Sequence, residues 1–415
     1  IPNGKDFEQF KFRMVNGETV HFLARIRVTV DIKNGNTVFE LPDFGGIRAG
    51  AGGVVDKGVA EEWQNTFLRE NECWGILSMI WAQDLSKRTA KGILRLVGYK
   101  RFCPYTVDLD YYREARTHFT TEEVNVLISA ADYNPDGYVD ENGVPSMETK
   151  LYFLRRLLPF VEKRINLMEL APKGTGKSYV YEKISKRGWL VSSGTISRAA
   201  LIYDNSKKLP GLLTRYDYVA FDESQSITFQ PASEVQQALK DYMEFGEVKG
   251  FEAQVSASAG VVVLGNIAAD KFDVHQNMTE EIHPIFREAA TLDRIHGFVE
   301  GWKIPRMQAS MIARGWALNT EYFAEVMHAL RDDLQYDTVV DQSICYDPAS
   351  DQRDLTAIKR ICCAFVKLLF PNARTKEDIP KDEFIKYCLE PAKEMRQIIR
   401  YQLGIIDPKE YNTPK

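Results

Sequence analysis

The stretch LMELAPKGTGKSYV, residues 167–180, constrains this chain more than any other. An apolar run enters a glycine-rich turn and then helical texture, which is the context a phosphate-binding P-loop requires. Backbone N–H groups of Gly174, Thr175, Gly176, Lys177 and Ser178 can cradle phosphate oxygens at a helix amino terminus. The Lys177 ammonium can neutralise β and γ oxygens, and the Ser178 hydroxyl is a candidate ligand for Mg²⁺. The motif asks for glycine at its first position, where this chain has Ala171. A Cβ is tolerated there if the residue sits at negative φ, so no phosphate-contacting group is lost.

Downstream, YDYVAFDE reads as a buried strand ending in two carboxylates, Asp222 and Glu223. Asp222 is expected to hold Mg²⁺ through water and Glu223 to orient and deprotonate the attacking water. One further strand, 189–193, and a helix, 198–208, separate the two motifs. That insertion points to the P-loop class in which a carboxylate beside the metal ligand activates water. Residues 259–265 predict another strand, and Asn266 at its tip is placed to touch the γ-phosphate or the lytic water, the role called sensor 1. Arg294 precedes a short strand at 295–299, where ring ATPases place a finger for a neighbour's γ-phosphate. The plainer alternative is an ion pair with Asp293 or Glu288.

Arg353 falls in the first turn of a helix with Ser350 as its cap, where the helix dipole disfavours a cation. A nucleotide phosphate, in the sensor 2 role, would compensate it, and so would Asp351 or Asp354. Residues 245–248 and 251–255 predict a hairpin with Lys249 and Gly250 at its tip. Lys249 and Phe251 there can grip a phosphate backbone and stack bases, or simply end an exposed hairpin.

Composition bounds what surrounds these motifs. With 415 residues, 44% hydrophobic and 27% charged, the chain is globular and long enough for two or three domains. Fifty-three Lys and Arg against 58 Asp and Glu leave a net charge of -5, so any nucleic-acid contact must be local rather than a bulk-charge effect. The 6 cysteines form no CxxC pair, which excludes a zinc ribbon and fits a reducing, cytoplasmic setting. No apolar run approaches the roughly 18 residues a membrane span needs, so no membrane partner is expected. Ile1 is not a translation start, so the chain reads as trimmed or processed. Residues 132–143 imitate an EF-hand loop, but Gly143 stands where a bidentate Glu is needed.

The texture divides the chain into a β-rich, barrel-like segment with OB-like character at 1–108, a helical connector at 109–164, an α/β nucleotide-binding core with a parallel sheet at 165–305, and a helical lid at 306–415.

The runs ELAPKGTGKSYVYEKISKRGWLVSSG, RYDYVAFDESQSI, LKDYMEFGEVKG, VVVLGNI and LDRIHGFVEGWKIPRM resemble the Lon-like AAA+ ATPase family of BREX phage-defence systems, BrxL. EARTHFTTEE upstream and DQRDLTAIKR downstream extend the resemblance over roughly residues 110–371. It implies a P-loop AAA+ ATPase using ATP and Mg²⁺ that forms a ring, a hexamer or stacked hexamers, organised like minichromosome-maintenance proteins. It further implies DNA as a partner in antiphage defence, with other BREX proteins as further partners. Family members often carry a Lon-type Ser-Lys peptidase after the lid. No such segment is visible up to Lys415, so protease activity is not expected of this chain. The leading expectation is a DNA-encircling or translocating motor. The alternatives are a Lon-like protein unfoldase and an ATP-gated DNA clamp with little turnover.

Overall fold

The computed structural model describes residues 4–44, 46, 50–69, 73–83, 92–102, 107–118, 124–204, 209–249, 254–315 and 317–411. The chain divides into two compact units, residues 1–106 and 107–415.

In the first unit five strands, Val20–Asp31, Asn36–Glu40, Gly52–Val55, Cys73–Gln83 and Gly92–Arg101, close into a barrel. The first strand is long enough to pair antiparallel with both the second and the fourth. The third pairs with the fifth in parallel, and the fourth with the fifth antiparallel, which completes the closure. Along the first strand Val20, Phe22, Ala24, Ile26 and Val28 point inward at alternate positions and form one wall of the core.

The segment expected to be β-rich from residue 1 opens instead on a helix, Gly4–Val15. Phe7 and Met14 lie on its buried face, and Phe7 stacks on Phe44 at 4.5 Å while Phe10 meets Phe22 at 5.0 Å. The 3.6-residue period thus overrides the aromatic bias toward strand.

The second unit is built on a five-stranded parallel sheet. Its order is Gly297–Glu300, Leu167–Ala171, Gly260–Asn266, Tyr218–Phe221, Gly188–Val191. Every residue of Leu167–Ala171 and of Tyr218–Phe221 is buried, as a sheet covered on both faces requires. One face packs against the helical segments Met147–Leu154, Leu158–Val161, Thr320–Arg331 and Gln352–Leu369. The other packs against Ala232–Phe245 and part of Glu390–Ile406. The connector and the carboxy-terminal helices therefore share their cores with the sheet, and 107–415 is one unit. Arg331 locks this arrangement at the amino edge of the sheet. Its buried guanidinium donates to the carbonyls of Glu162 at 2.9 Å, Asp217 at 2.9 Å and Ser258 at 2.7 Å.

The helix expected at 198–208 stops after one turn, Arg198–Leu201, and a short antiparallel pair, Tyr203–Asp204 with Leu209–Pro210, follows it. Asp204, Asn205 and Ser206 are residues whose side chains compete with helical hydrogen bonds.

His296 also lies at the amino edge. Its Nδ1 accepts the Asn166 N–H at 2.8 Å. Burial, joined by the charges of Arg360, Arg396 and Arg164, holds its imidazole well below the usual histidine range. The unfolded chain takes up a proton at this side chain near pH 6.5, whereas the folded chain resists it. Stability is therefore fully present above about pH 6.5 and is lost as the pH falls below it, with a slope of up to about 1.4 kcal/mol per pH unit for one proton. His296→Gln is expected to lower the melting temperature at neutral pH and to flatten its decline between about pH 6.5 and 5. An undiminished slope in thermal melts of this variant assigns the acid sensitivity to other groups.

Candidate nucleotide site

At the carboxyl end of Leu167–Ala171 the chain turns through Gly174 and Gly176, with φ of 83° and 76°, before the helix Lys177–Lys183 begins. Both residues occupy the left-handed region, where a Cβ costs energy, so this turn requires glycine. Ala171 is not among the residues at positive φ. Room for its methyl comes from Gly301, the residue that follows the neighbouring strand, because a Cβ built there would lie 2.4 Å from the Cβ of Ala171. The side chain added at the first motif position is accommodated by one that is missing across the sheet.

Three chain segments then bring their polar groups together at this sheet edge. Lys177 Nζ donates to Asn266 Oδ1 at 2.6 Å, and Ser178 Oγ donates to Asp222 Oδ2 at 2.5 Å. Asn266 Nδ2 lies 3.4 Å from Glu223 Oε1, so the amide bridges the lysine and the carboxylate. Asn266 can do this because its strand lies between the P-loop strand and the carboxylate strand.

Glu223 sits at φ 43° and ψ 49°, an uncommon conformation for a side chain of this size. Its own carbonyl accepts from Ser226 N at 2.7 Å, so a tight turn fixes the residue directly after the strand. Glu223 is exposed while Asp222 is buried. Burial pushes the Lys177 ammonium below the usual lysine range, a shift opposed by the Glu169 and Asp222 carboxylates and reinforced by Arg156.

Ser178 and Asp222 supply two hard oxygens at hydrogen-bond distance from one another, the donor type Mg²⁺ takes alongside phosphate oxygens and water. Among the described residues no cluster of three or more His, Cys, Asp or Glu forms a metal cage. Beside the loop opens a cleft of about 710 Å³ lined by Lys173, Thr175, Asn266, Trp302 and Arg306. Its lining includes Asn266, the partner of Lys177, but not Lys177 itself.

Residues 94–415 match the family described as Lon-like protease BrxL-like, ATPase domain. The chain belongs to this BrxL ATPase family. It is 31% identical over 309 residues to the Lon-like protease BrxL of Escherichia coli O9:H4 (strain HS), an alignment covering 74% of this chain and 42% of that protein. Against the Lon-like protease BrxL of Bacillus cereus (strain H3081.97) it is 33% identical over 301 residues, covering 71% of this chain and 43% of the relative. The chain thus spans less than half the length of these curated relatives.

Within this BrxL-family domain, two residues under the loop escaped the sequence reading. Arg156 is completely buried, and its Nε donates to both Glu169 oxygens at 3.0 and 3.1 Å. Glu169 is a buried acid in the middle of the P-loop strand. That is the signal that was present: a carboxylate inside an otherwise apolar strand demands a buried partner.

The two arginines lie elsewhere. Asn166, which precedes the P-loop strand, donates through Nδ2 to the Arg294 carbonyl at 3.1 Å, and Gly297 pairs with Leu167. Arg294 is therefore at the amino edge, separated from its own P-loop by a strand of roughly 15 Å. Its guanidinium is ion-paired with Glu244 at 2.9 Å, neither of the partners expected from sequence. Arg353 joins the same carboxylate at 3.2 Å and Asp293 at 2.7 Å. The cap of its helix is Asp351, not Ser350, with Oδ1 accepting from the N–H groups of Arg353 and Asp354. Neither arginine faces the nucleotide site of its own chain.

The hairpin forms as Glu247–Lys249 paired with Gln254–Ser256. The preceding helix runs through Phe245 and is ended by Gly246 in the left-handed conformation, so Phe245 is not a strand residue. Lys249 closes the first strand opposite Gln254. Phe251 lies outside the described residues.

The imitation of a calcium loop resolves into Asx turns, in which Asn134 Oδ1 accepts from Asp136 N at 3.1 Å and Asp140 Oδ1 from Asn142 N at 2.8 Å. Among the described residues, no helix is long and apolar enough to cross a membrane.

Proposed function

We propose that this chain is the motor portion of a ring-forming AAA+ ATPase, a hexamer or stacked hexamers, that encircles or translocates DNA in BREX antiphage defence. The observation that carries the ATPase part is the convergence of Lys177, Ser178, Asp222, Glu223 and Asn266 at one sheet edge. Lys177 and the N–H groups of the loop bind the phosphates; Ser178, and Asp222 through water, would hold Mg²⁺, which would withdraw charge from the phosphate oxygens. Glu223 takes the proton of the attacking water, and Asn266 holds that water and the γ-phosphate in line.

Support for DNA comes from the hairpin before the asparagine strand and from the barrel, whose strand order is that of oligonucleotide-binding barrels. Arg294 and Arg353 are paired with Glu244 away from their own P-loop, so a role for either on a γ-phosphate falls to a neighbouring copy's site. The relatives' name, Lon-like protease, favours a second reading in which the ring unfolds polypeptide.

ATP turnover measured alone and with duplex DNA, single-stranded DNA or an unfolded protein separates these readings. Stimulation by DNA supports the motor and stimulation by unfolded protein the unfoldase. DNA retention with negligible turnover points to a clamp, and equal rates in all four conditions leave the DNA motor without its partner.

If Lys249 grips the phosphate backbone, Lys249→Glu is expected to weaken DNA binding about tenfold at low salt. Lys249→Ala is expected to make the dependence of log affinity on log salt shallower by about one unit. DNA affinities unchanged across a salt titration in both variants reject this role for the hairpin.

A further inference from the structure

Three consecutive carbonyls of the P-loop are each held from outside the loop by a donor on a different segment. Met307 N–H donates to the Gly174 carbonyl at 2.8 Å, Arg156 Nη1 to that of Thr175 at 2.7 Å, and the Tyr133 hydroxyl to that of Gly176 at 3.3 Å. A trans peptide is planar, with its C=O and N–H pointing in opposite directions. Holding these three carbonyls outward therefore turns the N–H groups of Thr175, Gly176 and Lys177 into the hollow of the loop. Those are the donors an anionic phosphate would accept from.

Arg156 is the centre of this arrangement. Two of its nitrogens engage the Glu169 carboxylate, and Nη2 also lies 3.3 Å from Thr175 Oγ1. Both members of the ion pair have no solvent exposure. Such a pair is often no more stabilising than an apolar pair of the same shape, so core stability alone does not account for it. What an apolar pair could not supply is the donor to Thr175. Burial of Tyr133 raises its hydroxyl to about 12, so it too remains a protonated donor.

We propose that Arg156, fixed by Glu169 and assisted by Tyr133, is a positioning residue that presets the P-loop for nucleotide before nucleotide arrives. It acts on phosphate binding rather than on the chemical step, because its contacts are to the loop backbone and not to the reacting atoms. This rests on the reading of the loop as the ATP site.

The test uses the whole chain and two measurements, melting temperature without nucleotide and the dissociation constant for ADP by calorimetry. In Arg156→Met/Glu169→Leu the charge pair is replaced by an apolar one. The expected result is a melting temperature near the parent's with ADP binding about tenfold weaker. A melting temperature near the parent's with ADP affinity within twofold of the parent's overturns the proposal, since packing was then the pair's whole contribution.

Should the double variant melt well below the parent, Arg156→Lys decides. An ammonium keeps the charge beside Glu169 but cannot span both the carboxylate and the Thr175 carbonyl. It is expected to raise KM for ATP about fivefold or more with kcat within about threefold of the parent, and an unchanged KM overturns the proposal. Lys177→Ala is run in parallel. If that variant binds ADP like the parent, the loop is not the nucleotide site. If it loses binding while the Arg156 variants keep it, the site reading stands and the positioning role falls.

Discussion

Glu223→Gln is expected to bind ATP about as tightly as the parent and to hydrolyse it at least a hundredfold more slowly, roughly the contribution of a positioned general base. The amide keeps the shape of the side chain, and it cannot accept the proton of the attacking water. Lys177→Ala is expected to fail earlier, at binding, because removing the ammonium leaves the phosphate charge unneutralised and leaves Asn266 without the partner now 2.6 Å away. Equilibrium binding of labelled ATP and single-turnover hydrolysis distinguish the two outcomes. Near-parental turnover in Glu223→Gln would falsify the assignment of the base.

Arg294→Ala is expected to retain ATP and to lose about a thousandfold in turnover, the scale associated with an arginine that neutralises charge on a transferring phosphoryl group from a neighbouring subunit. The guanidinium lies at the amino edge of its own sheet, held by Glu244, so any such effect must operate between copies. Mixed with Glu223→Gln, the variant is expected to regain part of its activity. Some interfaces would then combine an intact Glu223 from one copy with an intact Arg294 from the next. Mixed assemblies are verified first with two affinity tags. If they form and hydrolysis stays at the level of the separate variants, Arg294 is an internal ion-pair residue and the finger lies elsewhere.

The groups that converge at the sheet edge were legible because their chemistry is local: a glycine turn with its lysine and serine, and a strand that ends in two acids, are each contained within a dozen residues. Asn266 was legible for a related reason, since a polar residue ending an apolar run marks a strand tip. The ion pairs were not. Glu244 holds both Arg294 and Arg353, yet it sits in a helix far from either in sequence, and nearer acids offered themselves as partners. Arg156 escaped for the same reason, its bond to Thr175 depending on how a helical connector packs beneath the sheet. The β-rich character of the barrel was readable from its β-branched and aromatic residues between turn signals, whereas the helix Gly4–Val15 was hidden by aromatics that favour either structure.

The contact between Ala171 and Gly301 bears on how such sites are found. A pattern written along one strand treats the first glycine of the loop as a property of that position. In this chain the space for the Ala171 methyl is left by Gly301, the residue just past the end of the adjacent strand. Gly301→Ala would force two methyl carbons into one space and would also set its Cβ 2.7 Å from Glu169 Oε1 and 2.9 Å from the Leu170 carbonyl, so replacing Ala171 by glycine would not by itself make room for it. A search that requires glycine at the first position passes over this chain. One that reads the first position together with the residue packed against its Cβ would retain it.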